Sequence, residues 1–173
     1  MRAAKRTSVA FAFLMVTGVH GALGAQEEGT PTITITSTAF SHEGTIPLEY
    51  SAYGDNTAPD LEWSGLPKGT VQLTLIVDDP IPGRPQPFVH WVAYNISPSA
   101  STIPANGVNG FRRPGYFGPR PPDAAPHTYH FKIYALDADL ALPDGLGKDE
   151  LLVAIEGHVL GFGVLLGQFT KPD

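Results

Sequence analysis

Cysteine is absent from all 173 residues. That removes disulfide frameworks, thiolate metal sites, thiol nucleophiles and cysteine-linked lipid anchors. Charge is scarce too: Asp, Glu, Lys and Arg make up 16% of the chain, with no Lys/Arg cluster among them. At a formal net charge of −6, such a surface repels nucleic acid and anionic lipid, so neither is an expected partner. No apolar run reaches the ~20 residues that a membrane span needs. Breakers, in contrast, are plentiful. Gly (19) and Pro (17) are too many for a helical bundle or coiled coil, yet fall below the roughly 25–30% of low-complexity chains.

Residues 1–25 read as a secretory signal peptide. Arg2, Lys5 and Arg6 precede an apolar stretch from Val9 to Val16, and Ala22-Leu23-Gly24-Ala25 offers small residues for cleavage. Cleavage would take three basic residues and no acidic ones, leaving eight basic against seventeen acidic residues, a net −9. The working molecule is therefore expected to be exported, periplasmic or secreted. Residues 26–31 read as a flexible lead-in, and 32–173 as a single domain.

Within that domain, strands dominate. Thr32–Thr36 alternates strictly with β-branched residues; Ile46–Tyr53 and Ala58–Trp63 are further extended candidates. Val71–Val77, Phe88–Ile96 and Thr128–Leu136 are the strongest strands, and Val164–Phe169 closes the series. Residues 97–126, rich in Ser, Pro, Gly, Asn and Arg, read as a long loop of the kind that often carries function. Leu151, Leu152, Ile155 and Val159 recur at helical spacing, so Lys148–Leu160 is predicted to be helical. Many strands with one helix fit a β-sandwich.

Strand parity then selects inward polar residues. Asp79 continues the face of Leu73, Leu75 and Val77. His127 and Tyr129 share a face with Phe131 and Ile133, whereas His130 lies with Thr128 and Lys132 on the other. His90 sits in a strand apolar on both faces, so it is buried whichever way it points. Two imidazoles and a phenol can donate hydrogen bonds to an anion, and a carboxylate can fix an imidazole tautomer or accept from a ligand amine.

Three ordered segments also resemble a known family. Asp78-Asp79-Pro80, Pro82 and Phe88-Val89-His90-Trp91-Val92-Ala93-Tyr94-Asn95-Ile96 are similar to the first signature of the phosphatidylethanolamine-binding protein family. Gly115-Tyr116-Phe117-Gly118-Pro119-Arg120-Pro121-Pro122 with Pro126-His127-Thr128-Tyr129 resembles the second. Gly157-His158-Val159-Leu160 and Leu166-Gly167 resemble the C-terminal segment of the bacterial, Raf kinase inhibitor-like branch. The resemblance implies a β-sandwich of two antiparallel sheets with Greek-key connection and a C-terminal helix. It implies a pocket for phosphate, acetate or a phosphoethanolamine head group, mapping to Asp79, His90, Gly118, Pro122, His127 and Tyr129, with Pro82 as a wall. One departure stands out: Ile81 occupies the position after Pro80 where the family carries a second aspartate. Either Asp78 substitutes for it in a shifted register, or that carboxylate is absent. Arg120 stands where many bacterial relatives have cysteine, as a rim charge or a solvated loop residue.

The expected function is binding of a small phosphate-bearing or zwitterionic ligand without turnover and without a cofactor. Rival expectations are an inhibitor of an extracytoplasmic protease or other protein-binding module, and an acid–base enzyme using the same pocket. A metal held by Asp79, His90 and His127 is a lesser alternative. Export separates the chain from any cytoplasmic kinase. The assembly is expected to be a monomer or homodimer.

Overall fold

The computed structural model describes residues 32–172; the predicted signal peptide and lead-in lie outside the described residues. Among the described residues seven strands are formed: β1 Thr34–Thr36, β2 Gly44–Thr45, β3 Glu62–Ser64, β4 Gln72–Asp79, β5 Phe88–Ile96, β6 His127–Leu136 and β7 Val159–Phe169. One helix, α1 Lys148–Ala154, precedes β7. Five strands make a sheet in the order β2-β7-β6-β4-β5, and β1 pairs with β3 in a two-stranded sheet. Pairing is antiparallel except between β2 and β7, which run parallel. The expectation of purely antiparallel sheets is corrected at that edge.

The large sheet is covered on both faces, which is why β4 is buried at every position. On one face Leu73, Leu75, Val77, Phe131, Ile133 and Leu165 pack with Ile33 and Ile35 of the β1 segment. On the other, Ile76, Val92, Tyr134 and Phe162 pack against Leu151 and Ile155. Alternation along β4 and β6 thus divides residues between two cores rather than between core and water.

Two predicted elements differ. Instead of a strand over Ile46–Tyr53, the chain forms a 3-10 turn at Leu48–Tyr50. Ser51 holds it, donating its hydroxyl to the Leu48 carbonyl at 2.7 Å. The helix ends at Ala154, not Leu160, and its start is capped by Glu150, which accepts from the Gly147 N–H at 3.1 Å. Gly157, at φ +81°, lies in the turn that redirects the chain. Val159 therefore opens β7, and the helix is followed by a strand that pairs along the full length of β6.

Candidate functional site

One end of the large sheet gathers polar residues. Asp79 ends β4, His127 begins β6, and Tyr129 lies two residues further on the same face. His90 reaches them by a different route. On β5, Trp91 stands opposite Val77 while Val89 stands opposite Asp78, so His90 is the extra residue of a β-bulge. The bulge places His90 beside Tyr129, ring centroids 5.0 Å apart and edge-on.

Hydrogen bonds fix both imidazoles. His127 Nδ1 lies 2.6 Å from Asp79 Oδ2, with both side chains buried. His90 Nδ1 lies 2.6 Å from the Phe117 carbonyl, and the Phe117 N–H donates to the His90 carbonyl at 2.9 Å. A carbonyl and a carboxylate only accept, so in each ring Nδ1 carries the proton and Nε2 is left for another partner. Tyr129 is 1% exposed, and its hydroxyl has no hydrogen-bond partner. The Arg120 backbone lies nearby without completing that bond. Burial pushes the Tyr129 phenol up, reinforced by the Asp79 charge; it is a neutral donor without an acceptor.

Burial lowers the His90 pKa, against the pull of hydrogen bonds to the Phe117 and Gly118 backbone and the charge of Asp79. Unfolded, His90 takes up a proton more readily than folded, so stability falls as pH drops below about 6.5 toward the lowered folded value. Urea titrations across that range should show the loss in the wild type and a smaller one in His90→Gln. An identical slope in both would remove His90 as its source.

An aromatic collar surrounds His90. Phe88 meets its ring edge-on at 4.9 Å, and Phe117 stacks on it at 5.9 Å. Phe111 packs on Phe88 and Phe117 at 5.0 and 4.8 Å while staying 54% exposed. Buried Asn109 shapes that loop, its Oδ1 accepting from the Phe111 N–H at 3.0 Å and its Nδ2 donating to the Gly115 carbonyl at 3.2 Å. The sequence gives no periodic signal for these collar residues, because they stand in the irregular loop or at the start of β5.

The other expected site residues stand apart. Asp78 is 1% exposed on the opposite face of β4, paired with Lys148 and with Lys132, whose Nζ is 3.6 Å away. Its carboxylate does not join Asp79. Gly118 is buried beside His90, but its missing side chain serves the fold. A Cβ there would stand 2.4 Å from the Tyr50 carbonyl oxygen, and its N–H donates to Asn56 Oδ1 at 2.7 Å. Pro82 and Pro122 are exposed, in loops leaving Asp79 and approaching His127. Next to Pro122, the Pro121 carbonyl accepts from the Tyr53 hydroxyl at 2.7 Å. Arg120 lies over the Tyr53 ring, 5.8 Å from its centroid. Among the described residues no three His, Asp or Glu side chains converge to hold a metal, so Asp79, His90 and His127 do not form the alternative metal site. No helix there is long and apolar enough to cross a membrane.

The molecule is thus a two-sheet, mainly β protein with a carboxylate-oriented histidine, a second buried histidine and an unpartnered phenol at one sheet end. Residues 36–170 match the sequence model of the phosphatidylethanolamine-binding protein family, and the chain belongs to that family. It is similar to a UPF0098 protein of Methanothermobacter thermautotrophicus, 38% identical over 77% of this chain and 95% of that one. The Mycobacterium tuberculosis protein named "Putative lipoprotein LppC" is 39% identical over 79% of this chain and 72% of its own. Among solved structures, a phosphatidylethanolamine-binding protein homologue from Chlamydia trachomatis superposes with a TM-score of 0.74 at 36% identity, covering 83% of this chain and all of that one. E. coli YbcL shares the fold at a TM-score of 0.73 and 21% identity, over 82% of this chain and 99% of its own.

Proposed function

We propose that this protein is an exported receptor for a small phosphate-bearing or zwitterionic ligand, held without turnover between His90, His127 and Tyr129. The observation that carries the reading is the Tyr129 hydroxyl, buried and unpartnered next to two histidines whose Nε2 atoms are left for another partner. A buried donor without an acceptor is costly, and a ligand oxygen supplies the acceptor. The kinship with a protein named as a lipoprotein supports export. This chain has no cysteine to acylate, so the reading is a free rather than a lipid-anchored protein. The small sheet, large sheet and helix are read as the family's Greek-key sandwich.

Neutral His90 accepts at Nε2, whereas protonated His90 donates there. Burial holds the folded His90 pKa below the ordinary imidazole value, so an anion gains this donor only at correspondingly more acidic pH, and a ligand that brings its own proton can use the neutral ring. Affinity for inorganic phosphate should rise as pH falls through the lowered His90 range, and affinity that stays flat while His90 itself takes up its proton argues against donation by this histidine. The direct test follows histidine side-chain NMR signals during titration with phosphoethanolamine and with phosphate. Saturable shifts at His90 and His127, lost in His90→Ala, support the reading. Silence at millimolar ligand overturns it.

The Asp79–His127 pair favours one second reading, since a carboxylate-oriented imidazole is also a general base. Turnover of a phosphoester in the presence of the protein, abolished in His127→Gln, would establish it over simple binding.

A further inference from the structure

The histidine cluster is poor in charge of its own. Asp79 is nearly enclosed, and it holds His127 at 2.6 Å. Asp78 faces the other side of β4, paired with two lysines. The cluster therefore leaves no exposed carboxylate to take a ligand ammonium. It also holds no permanent cation, since burial keeps the His90 pKa below that of a free imidazole. A fixed positive charge comes instead from the loop between β5 and β6.

Residues 118–121 of that loop form a strap fastened on both sides of Arg120. Before it, the Gly118 N–H donates to Asn56 Oδ1 at 2.7 Å, and the Pro119 carbonyl accepts from the Ala52 N–H at 3.0 Å. After it, the Pro121 carbonyl accepts from the Tyr53 hydroxyl at 2.7 Å. Pro119 and Pro121 are buried, while Arg120 is exposed. Its backbone lies beside the Tyr129 hydroxyl, so its side chain leaves the strap at the edge of the cluster. The guanidinium rests over the Tyr53 ring, 5.8 Å from the centroid. Tyr53 stacks in turn on Phe169 at 6.3 Å, and Phe169 stands opposite His127.

That hold is loose. The distance is at the limit of cation–π contact, ~6 Å, and no carboxylate among the described residues pairs with Arg120. An arginine with a fixed root, a weak resting place and no counter-ion suits a planar anion, because its fork donates two parallel hydrogen bonds to a carboxylate.

We propose that Arg120 is a specificity-determining arm of the histidine site, selecting a phosphate ester that also carries a carboxylate over one that carries an amine. This rests on the reading of that site as a phosphate receptor. The phosphate enters between His90, His127 and Tyr129. The second group stays at the mouth, where Arg120 leaves Tyr53 to meet a carboxylate and repels an ammonium.

Three probes of similar size separate the possibilities: phosphoglycolate, ethyl phosphate and phosphoethanolamine, which end in a carboxylate, a methyl and an ammonium group. Histidine side-chain NMR signals give the affinity for each. Phosphoglycolate is expected to bind about fivefold more tightly than ethyl phosphate, the upper range for an exposed ion pair, with phosphoethanolamine weakest. In Arg120→Gln the ratio should fall to near one. Arg120→Lys, which keeps the charge without the fork, should restore part of it. Both substitutions fall at an exposed position and leave the core untouched. The proposal is overturned by equal affinity for the three probes, or by a ratio that survives in Arg120→Gln. In either case ethyl phosphate still shifts His90 and His127, so the receptor reading stands. Histidine signals indifferent to all three probes would remove that reading, and this proposal with it.

Discussion

Asp78→Ala is expected to destabilise the protein by about 3–5 kcal/mol, the usual loss when one partner of a buried ion pair is removed. Asp78 is almost fully enclosed, and the Lys132 and Lys148 side chains keep only 11% and 17% of their exposure. Removing the carboxylate takes away the buried charge with which both Lys148 and Lys132 are paired. The neighbouring substitution Asp79→Asn should cost under about 2 kcal/mol, since the amide can still hydrogen-bond His127. It should nevertheless lose the ligand response, because an amide does not fix the imidazole tautomer as a carboxylate does. Urea midpoints with unchanged m values measure the first effect, and histidine NMR the second. Adding Lys148→Met to Asp78→Ala should recover part of the stability, a coupling that independent sites would not show. If Asp78→Ala proved as mild as a surface substitution, or Asp78→Asn abolished ligand binding while Asp79→Asn did not, the two aspartates would have exchanged roles.

That division of labour marks where the sequence is legible. Alternation assigns Asp79, His127 and Tyr129 to one face and Lys132 and His130 to the other, and the structure keeps that division. It does not reveal that the other face is also covered. Asp78 therefore looks like a spare pocket carboxylate until α1 brings Lys148 onto it. His90 was beyond alternation for a local reason, since the bulge changes parity at that residue. The family resemblance supplied it because a motif preserves spacing through a bulge. The helix was over-extended because Leu151, Ile155 and Val159 fit one helical stripe, whereas the left-handed turn at Gly157 passes Val159 to a strand.

Gly163→Val is expected to cost 3 kcal/mol or more by overpacking, roughly the upper end for an inserted core side chain. Even the first added carbon would stand 2.2 Å from the Ile33 carbonyl oxygen and 2.9 Å from the Ile33 Cβ. Those atoms cannot yield cheaply. The Thr32 and Ile33 N–H groups both donate to the Phe162 carbonyl, at 2.9 and 3.1 Å, so the segment entering β1 is tied to the residue beside the substitution. Relief requires lifting β1 and β3 from the large sheet, which uncovers Ile33 and Ile35 and loosens Trp63. The expected signature is a lower urea midpoint together with an exposed-tryptophan emission from Trp63. Gly157→Ala is the informative contrast. A Cβ there meets nothing within 4 Å, but φ is +81°, so its cost should stay near 1 kcal/mol and arise from backbone conformation alone. Glycine at 157 thus serves a turn, whereas glycine at 163 serves contact between two sheets. Equal penalties at the two positions would show that β1 can move aside, and that the small sheet is not held in place by the close approach at Gly163.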